Sequence, residues 1–93
     1  MIKTFSCKET EKIFRRKFSR KLPQGIQKTS LRKLGYLHAA KDLNDLLVPP
    51  ANYLENLEGD RQGQHSIRIN KQWRICFKWH EGNAFNVEIL DYH

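Results

Sequence analysis

Between residues 72 and 79 apolar and polar side chains alternate without interruption: Trp73, Ile75, Phe77 and Trp79 at odd positions, Gln72, Arg74, Cys76 and Lys78 at even ones. A period of two predicts a half-buried strand, with the odd residues packed under other elements and Arg74 and Lys78 facing outward. Residues 64–69 alternate as well, with Ile67 and Ile69 inward and Ser66 and Arg68 outward. Asn70-Lys71-Gln72 forms the turn between these strands, and Glu81-Gly82-Asn83 forms the next. Phe85, Val87 and Ile89 define a last strand that runs into Asp91-Tyr92-His93. On that parity Asp91 and His93 share the face of Phe85, Val87 and Ile89. The strand therefore ends or bulges before Asp91, or these residues project off its end.

The first half of the chain has a helical period instead. Met1-Ile2-Lys3-Thr4-Phe5 reads as a short first strand, and Ser6-Cys7-Lys8-Glu9 fits a capping box. A helix over about 7–18 follows, with Phe14 and Phe18 on one face and Lys12, Arg15, Arg16 and Lys17 on the others. Pro23 suits the first turn of a second helix, where its missing donor costs nothing. Ile26, Leu31, Leu34 and Leu37 make its apolar stripe, which ends near Lys41. Asp42-Leu43-Asn44-Asp45 resembles a cap over a single further turn, and Pro49-Pro50 ends all helix and starts a connector. The order is strand, two helices, then a three-stranded antiparallel meander. This is an α+β fold with helices on one sheet face and the other face open.

Ninety-three residues leave room for one domain, spanning 1–93, and one core. Ten aromatic residues argue for a packed globule rather than a disordered chain. No apolar run approaches the roughly twenty residues of a membrane span. The start lacks the apolar stretch of a signal peptide, so a cytoplasmic location is expected. Cys7 and Cys76, far apart in sequence, then read as free thiols.

Charge is the first positive clue. Residues 1–33 hold eleven Lys/Arg against two Glu, a net of +9, while residues 34–93 carry a net of −2. Such a basic third fits a polyanionic partner, an acidic protein or a solvated helix face. Cys7, Cys76, His38, His65, His80 and His93 have no metal-site spacing. Gly59-Asp60-Arg61-Gln62-Gly63 lacks the strand-to-helix setting and the Lys-Ser/Thr of a phosphate loop. His38 reads as a cap or surface group, His65 as an edge residue and His80 as a turn residue. What remains is a metal-free polar set: Arg68 and Arg74 on the open face, Lys71 in the turn, Glu55, Glu58, Asp60 and Arg61 in the loop 55–63, and the terminal Asp91, Tyr92 and His93. Cleavage of an RNA backbone needs such a set. A base takes the 2′-hydroxyl proton, cations stabilise the phosphorane, and an acid protonates the leaving 5′-oxygen. Arg74 has a structural alternative, a cross-strand pair with Glu88. Arg61 has one too, tying down its own loop.

Three stretches carry a resemblance: Leu54-Glu55-Asn56-Leu57-Glu58-Gly59-Asp60-Arg61-Gln62-Gly63, Gln64-His65-Ser66-Ile67-Arg68-Ile69-Asn70 and Gln72-Trp73-Arg74-Ile75-Cys76-Phe77. Together with the ending Val87-Glu88-Ile89-Leu90-Asp91-Tyr92-His93, they resemble the HigB branch of the RelE superfamily of toxins, the plasmid maintenance killer proteins. The resemblance implies a small microbial-RNase-like α+β fold and a ribosome-dependent, cofactor-free mRNA endoribonuclease. It also implies a type II toxin–antitoxin pair, in which a HigA-like helix-turn-helix antitoxin silences the toxin and brings it to operator DNA. Arg74 then matches the arginine that binds the scissile phosphate. Asp91, Tyr92 and His93 match the catalytic terminus, with His93 transferring protons, Asp91 as its partner or the second acid/base, and Tyr92 stacking on or orienting a base. Arg61, Arg68 and Lys71, with Arg15, Arg16 and Lys17 of the basic third, would hold RNA. Relatives carry a histidine and a basic residue where this chain has Glu55 and Glu58. Losing a cation there removes about 2–4 kcal/mol of transition-state stabilisation, unless Glu55 serves as a base. Two rival readings follow: an atypical toxin acting mainly by binding the ribosome or its RNA, and a plain nucleic-acid-binding module.

Overall fold

The computed structural model describes residues 1–91; Tyr92 and His93 lie outside the described residues. Two helices, α1 (Lys8–Phe14) and α2 (Gln24–Ala39), precede four strands, β1 (Glu55–Asn56), β2 (Gln64–Arg68), β3 (Trp73–His80) and β4 (Asn83–Asp91). The strands form one antiparallel sheet in the order β1-β2-β3-β4. The expected first strand is absent. Residues 1–6 run parallel to β4 but make only two isolated bridges, Ile2–Ala84 and Phe5–Val87. A bulge in β4 separates these bridges and prevents a continuous ladder. Beyond them Thr10 Oγ1 accepts the Ile89 amide (2.9 Å). Residues 1–10 thus cover the outer edge of β4, which would otherwise expose unpaired donors.

Helix α1 is shorter than the sequence predicts. It stops at Phe14, Arg16 adopts φ +62°, and Phe18 is 60% exposed rather than aligned with Phe14. The predicted capping box does not form, because both members have distant partners. Ser6 Oγ donates to the Asn86 carbonyl, and Glu9 accepts from the buried Ser19 hydroxyl (2.7 Å). That last bond folds the loop after α1 back onto the helix. His38, expected as a cap or surface group, accepts the Ile2 amide at Nδ1 (3.1 Å) and packs on Phe14. Helix α2 begins immediately after Pro23 and buries Ile26, Leu34 and Leu37. The predicted turn after Asp42 is a 3-10 turn over Leu43–Leu47, with Asp42 and Asp45 capping each other's end.

The core lies between the helices and one sheet face, where Ile67, Ile75 and Ile89 stand side by side across β2, β3 and β4. Glu81 and Gly82, both with positive φ, make a tight turn whose twist matches the strands it joins. Three features depart from the expected meander. The loop after Leu54 supplies a fourth strand, β1. Short 3-10 turns at Pro50–Asn52 and Gly59–Arg61 continue past the proline pair. The third is the β4 bulge, where Asn86 and Val87 oppose the single residue Phe77. Asn86 takes φ +53°. Asparagine tolerates that conformation, and the extra residue reverses the parity of the strand. Phe85 therefore pairs with Lys78 on the face away from the helices, not with Val87 and Ile89.

Candidate nucleic-acid interface

The face predicted to be open is partly roofed. The connector after Pro49 crosses it, and Tyr53, in the left-handed region, turns its carbonyl toward β3. Arg74 is consequently only 8% exposed. Its Nε donates to Ser66 Oγ (2.7 Å), and Nη2 donates to the Tyr53 carbonyl (2.5 Å) and to the Ser66 carbonyl (3.4 Å). Among the described residues the ionic neighbour of Nη1 is Glu55 Oε1 at 3.7 Å. Glu55 reaches this position because β1 pairs it with Ser66, which itself stands beside Cys76. Arg68 is the register partner of Arg74, and its guanidinium lies over the Tyr53 ring (4.9 Å to the centroid) while Nε donates to the Asn70 carbonyl. Two guanidiniums, one aromatic ring and one carboxylate thus share one end of this face.

Arg74 does not pair with Glu88. The register sets Glu88 opposite Cys76, and it binds Arg61 instead (2.8 Å), with Gln64 as the second acceptor of the same Arg61 nitrogen (3.1 Å). Arg61 therefore ties its loop to β2 and β4, as the structural alternative anticipated. Around this pair lies a cavity of about 320 Å³, lined also by Lys78, Asp60, Ser6 and Asn86. The alternation signalled Lys78, but no local pattern joins Arg61 to so distant a glutamate. Under both clusters sits the fully buried Cys76. Burial pushes its thiol above the ordinary range; Arg61 pulls it down, Glu88 pushes it up and Arg74 pulls it down.

Asp91 faces Trp73 at the end of β4, one position beyond the Arg74–Leu90 pair, and accepts a bond from Gln72 Nε2 (2.9 Å). It stays on the helix side with Val87 and Ile89, the face opposite Arg74. Contrary to expectation, the strand neither ends nor bulges between Ile89 and Asp91, because the ladder to β3 continues through Trp73. The catalytic assignments of Tyr92 and His93 lie outside the described residues. Lys71 is exposed in the β2–β3 turn. Arg15, Arg16 and Lys17 lie at the far end of α1 in the helical layer, where Arg15 is bound to Glu11 (3.0 Å). His65 is on the helix side too, bonded to Asn56 (2.6 Å) and packed on Phe77; burial holds its imidazole below the usual range. Among the described residues no three His, Cys, Asp or Glu side chains cluster closely enough to hold a metal ion, and no helix is long and apolar enough to cross a membrane.

This architecture is that of the small RelE-like toxins. YafQ from Escherichia coli strain BL21(DE3) superposes with a TM-score of 0.59, covering 98% of this chain and 91% of that one at 18% identity. The Staphylococcus aureus YoeB–YefM toxin–antitoxin complex contains a chain that superposes at 0.62, covering 100% and 95% at 23% identity. Sequence narrows the class. Residues 3–93 match the family described as the RelE-like toxin of type II toxin-antitoxin system HigB. Toxin HigB-1 of Vibrio cholerae is 46% identical over 74 residues, 80% of this chain and 77% of that protein. Endoribonuclease HigB of Proteus vulgaris is 31% identical over the full length of both. The chain belongs to the HigB-like family of type II toxin–antitoxin toxins.

Proposed function

We propose that this toxin is an endoribonuclease that cuts mRNA on the ribosome in the cytoplasm, using attack by the substrate's own 2′-hydroxyl and no cofactor. The observation that carries the reading is the Arg74 cradle. A guanidinium held on two sides by Ser66 and Tyr53 is fixed in place before charge develops, and its Nη1, beside Glu55, is the group left to meet a phosphate. In the proposed step the 2′-oxygen loses its proton to a base and bonds to phosphorus. The bond from phosphorus to the 5′-oxygen then breaks, and that oxygen takes a proton from an acid. Arg74, with Arg68 beside it, neutralises the phosphorane. His93 transfers a proton, Asp91 partners it or serves as the second acid/base, and Tyr92 stacks on or orients a base. In this reading Glu55, 3.7 Å from Arg74, serves as the base that accepts the 2′-hydroxyl proton. Lys71 and Arg61, with Arg15, Arg16 and Lys17 on the helical layer, hold RNA by charge.

A cognate antitoxin of the helix-turn-helix HigA type silences the toxin and carries it to operator DNA. Glu55 favours a second reading, because a carboxylate stands where a cation would strengthen phosphate binding: a toxin that acts mainly by occupying the ribosome. Mapping of 5′ ends on mRNA with translating ribosomes, wild type against His93→Gln and Arg74→Gln, separates the two. New ends that need ribosomes and vanish in both variants are expected. A wild type that arrests growth without new ends would replace cleavage by ribosome occupation.

A further inference from the structure

Away from the Arg74 end, the same sheet face carries a second set of groups that the cleavage step does not use. Lys78 lies four residues along β3 from Arg74, about 13 Å at the rise of an extended strand. It has no side-chain partner among the described residues. Opposite it stands Phe85, a half-buried aromatic ring outside the hydrophobic core. The strand parity alone would send that ring inward. The bulge at Asn86 turns it out, and the bulge is held from outside the sheet: Thr4 Oγ1 accepts the Asn86 amide (2.8 Å) and Ser6 Oγ donates to the Asn86 carbonyl (3.1 Å). Next to Lys78 opens the cavity in which Arg61, Gln64 and Glu88 present donors and acceptors. A half-buried aromatic outside the core, a cation without a side-chain partner among the described residues and a polar recess side by side match what a single-stranded nucleotide requires. The ring stacks on the base, the cation meets a phosphate, and the recess satisfies the base edge.

We infer that Phe85, Lys78 and the Arg61–Gln64–Glu88 recess form a nucleotide subsite that binds the single-stranded RNA flanking the cleaved bond. The inference rests on Arg74 marking the scissile phosphate, since the subsite gains its meaning from lying on the same face. Two arrangements within the recess support it. The Arg61–Glu88 pair keeps about a third of the arginine and a fifth of the glutamate side chain accessible, so both reach solvent from a fixed geometry. Lys78 supplies a cation that Glu88 does not neutralise, because Arg61 has taken that carboxylate.

The test is direct binding of a fluorescent single-stranded RNA to the full chain carrying His93→Gln, titrated across salt, for Phe85→Ala, Phe85→Trp, Lys78→Gln and the parent. Phe85→Ala should weaken binding about tenfold and Phe85→Trp should restore it, which a merely structural ring would not do. Lys78→Gln should lower the slope of log affinity against log salt by about 0.7, the loss of one phosphate contact on a single strand. In the cleaving enzyme Phe85→Ala should raise KM with kcat largely kept. Equal RNA affinity for Phe85→Ala, Phe85→Trp and parent, with unchanged thermal unfolding, overturns the subsite. Loss of RNA binding in Phe85→Ala together with a wild type that cuts nothing would sink the nuclease reading and leave Phe85 and Lys78 as a binding site for single-stranded RNA with no cleaved bond beside it.

Discussion

Removing the Asn52 side chain should cost this small domain about 3 kcal/mol, because it strands a buried ammonium. Lys33 points from α2 into the protein, is only 4% exposed, and donates from Nζ to Asn52 Oδ1 at 2.6 Å. Asn52, fully buried, donates in turn to the carbonyls of Leu46 (3.1 Å) and Val48 (3.4 Å). A hydrogen bond to a charged group contributes about 1.5–3 kcal/mol, and carbonyls left without donors add to the loss. Set against a total on the order of 5–14 kcal/mol for a chain of this length, Asn52→Ala removes a large share. Lys33→Met keeps most of the aliphatic stem and deletes the charge but leaves Asn52 Oδ1 without its donor, so it should cost about 1–2 kcal/mol, less than Asn52→Ala. The double variant should then recover about 2 kcal/mol relative to the sum of the singles. Urea unfolding followed by the fluorescence of Trp73 and Trp79 gives all four values. The pH dependence supplies an independent check. Burial holds the Lys33 ammonium below its usual 10.5, with Arg32 adding a smaller push in the same direction. The unfolded chain therefore binds more protons between that lowered value and its ordinary one, and stability rises with pH in this window. Lys33→Met should flatten that rise. Strictly additive losses, or an unchanged pH slope in Lys33→Met, would refute the account of Lys33 as a buried charge satisfied by Asn52.

Three further outcomes each rest on a single contact or backbone angle. Thr10→Val keeps the shape but leaves the Ile89 amide buried without an acceptor, and should cost about 1–3 kcal/mol in the same urea assay. Gly82 has φ +80°, and a Cβ there would lie 3.1 Å from the Lys41 carbonyl. Gly82→Ala should therefore lower stability by about 1–2 kcal/mol, the cost of a left-handed residue that carries a Cβ, measured by the same unfolding curves. The Ser19 hydroxyl, then the Lys12 ammonium, hold the Glu9 carboxyl below 4.5. Its contribution is present above the ordinary carboxylate range and fades as pH falls through the lowered value. Ser19→Ala should shrink that loss of stability on acidification, read as a smaller drop in thermal midpoint between neutral pH and pH 3.

Elements set by local pattern were legible in the sequence, and those set by distant partners were not. The alternation at 72–79, the apolar stripe of α2 and the Asp42 cap depend on neighbours within a few positions, and each formed. The end of α1 depends on Ser19 reaching back to Glu9, ten residues away. Period two says which face Arg74 and Cys76 share; it says nothing about what packs on that face. The connector that roofs Arg74 has no period of its own and is pinned by a lysine nineteen residues upstream of Asn52. The bulge that turns Phe85 outward is a single residue in the left-handed region, fixed by Thr4 and Ser6, 82 and 80 residues away. Arg68 and Arg74 could be placed on one face from the sequence, and Glu55 joins them through a two-residue strand too short to leave a pattern.

Glu55 tests how that arrangement works, because its two roles predict different kinetics. As a tether it sits 3.7 Å from Arg74 with its side chain 54% exposed. An ion pair so open to solvent contributes at most about 1 kcal/mol. Removing a competitor of that strength would let phosphate bind only a few-fold better, lowering KM and leaving kcat alone. A base that takes the 2′-hydroxyl proton contributes about 10²–10⁴-fold to the rate. With Glu55 as the base proposed above, beside Arg74 Nη1, Glu55→Gln should lower kcat by at least about a hundredfold while RNA affinity rises slightly. Single-turnover cleavage with ribosome-bound mRNA separates the terms. A Glu55→Gln enzyme with full kcat and a lower KM would leave the carboxylate as a brake on phosphate binding and return proton transfer to Asp91 and His93.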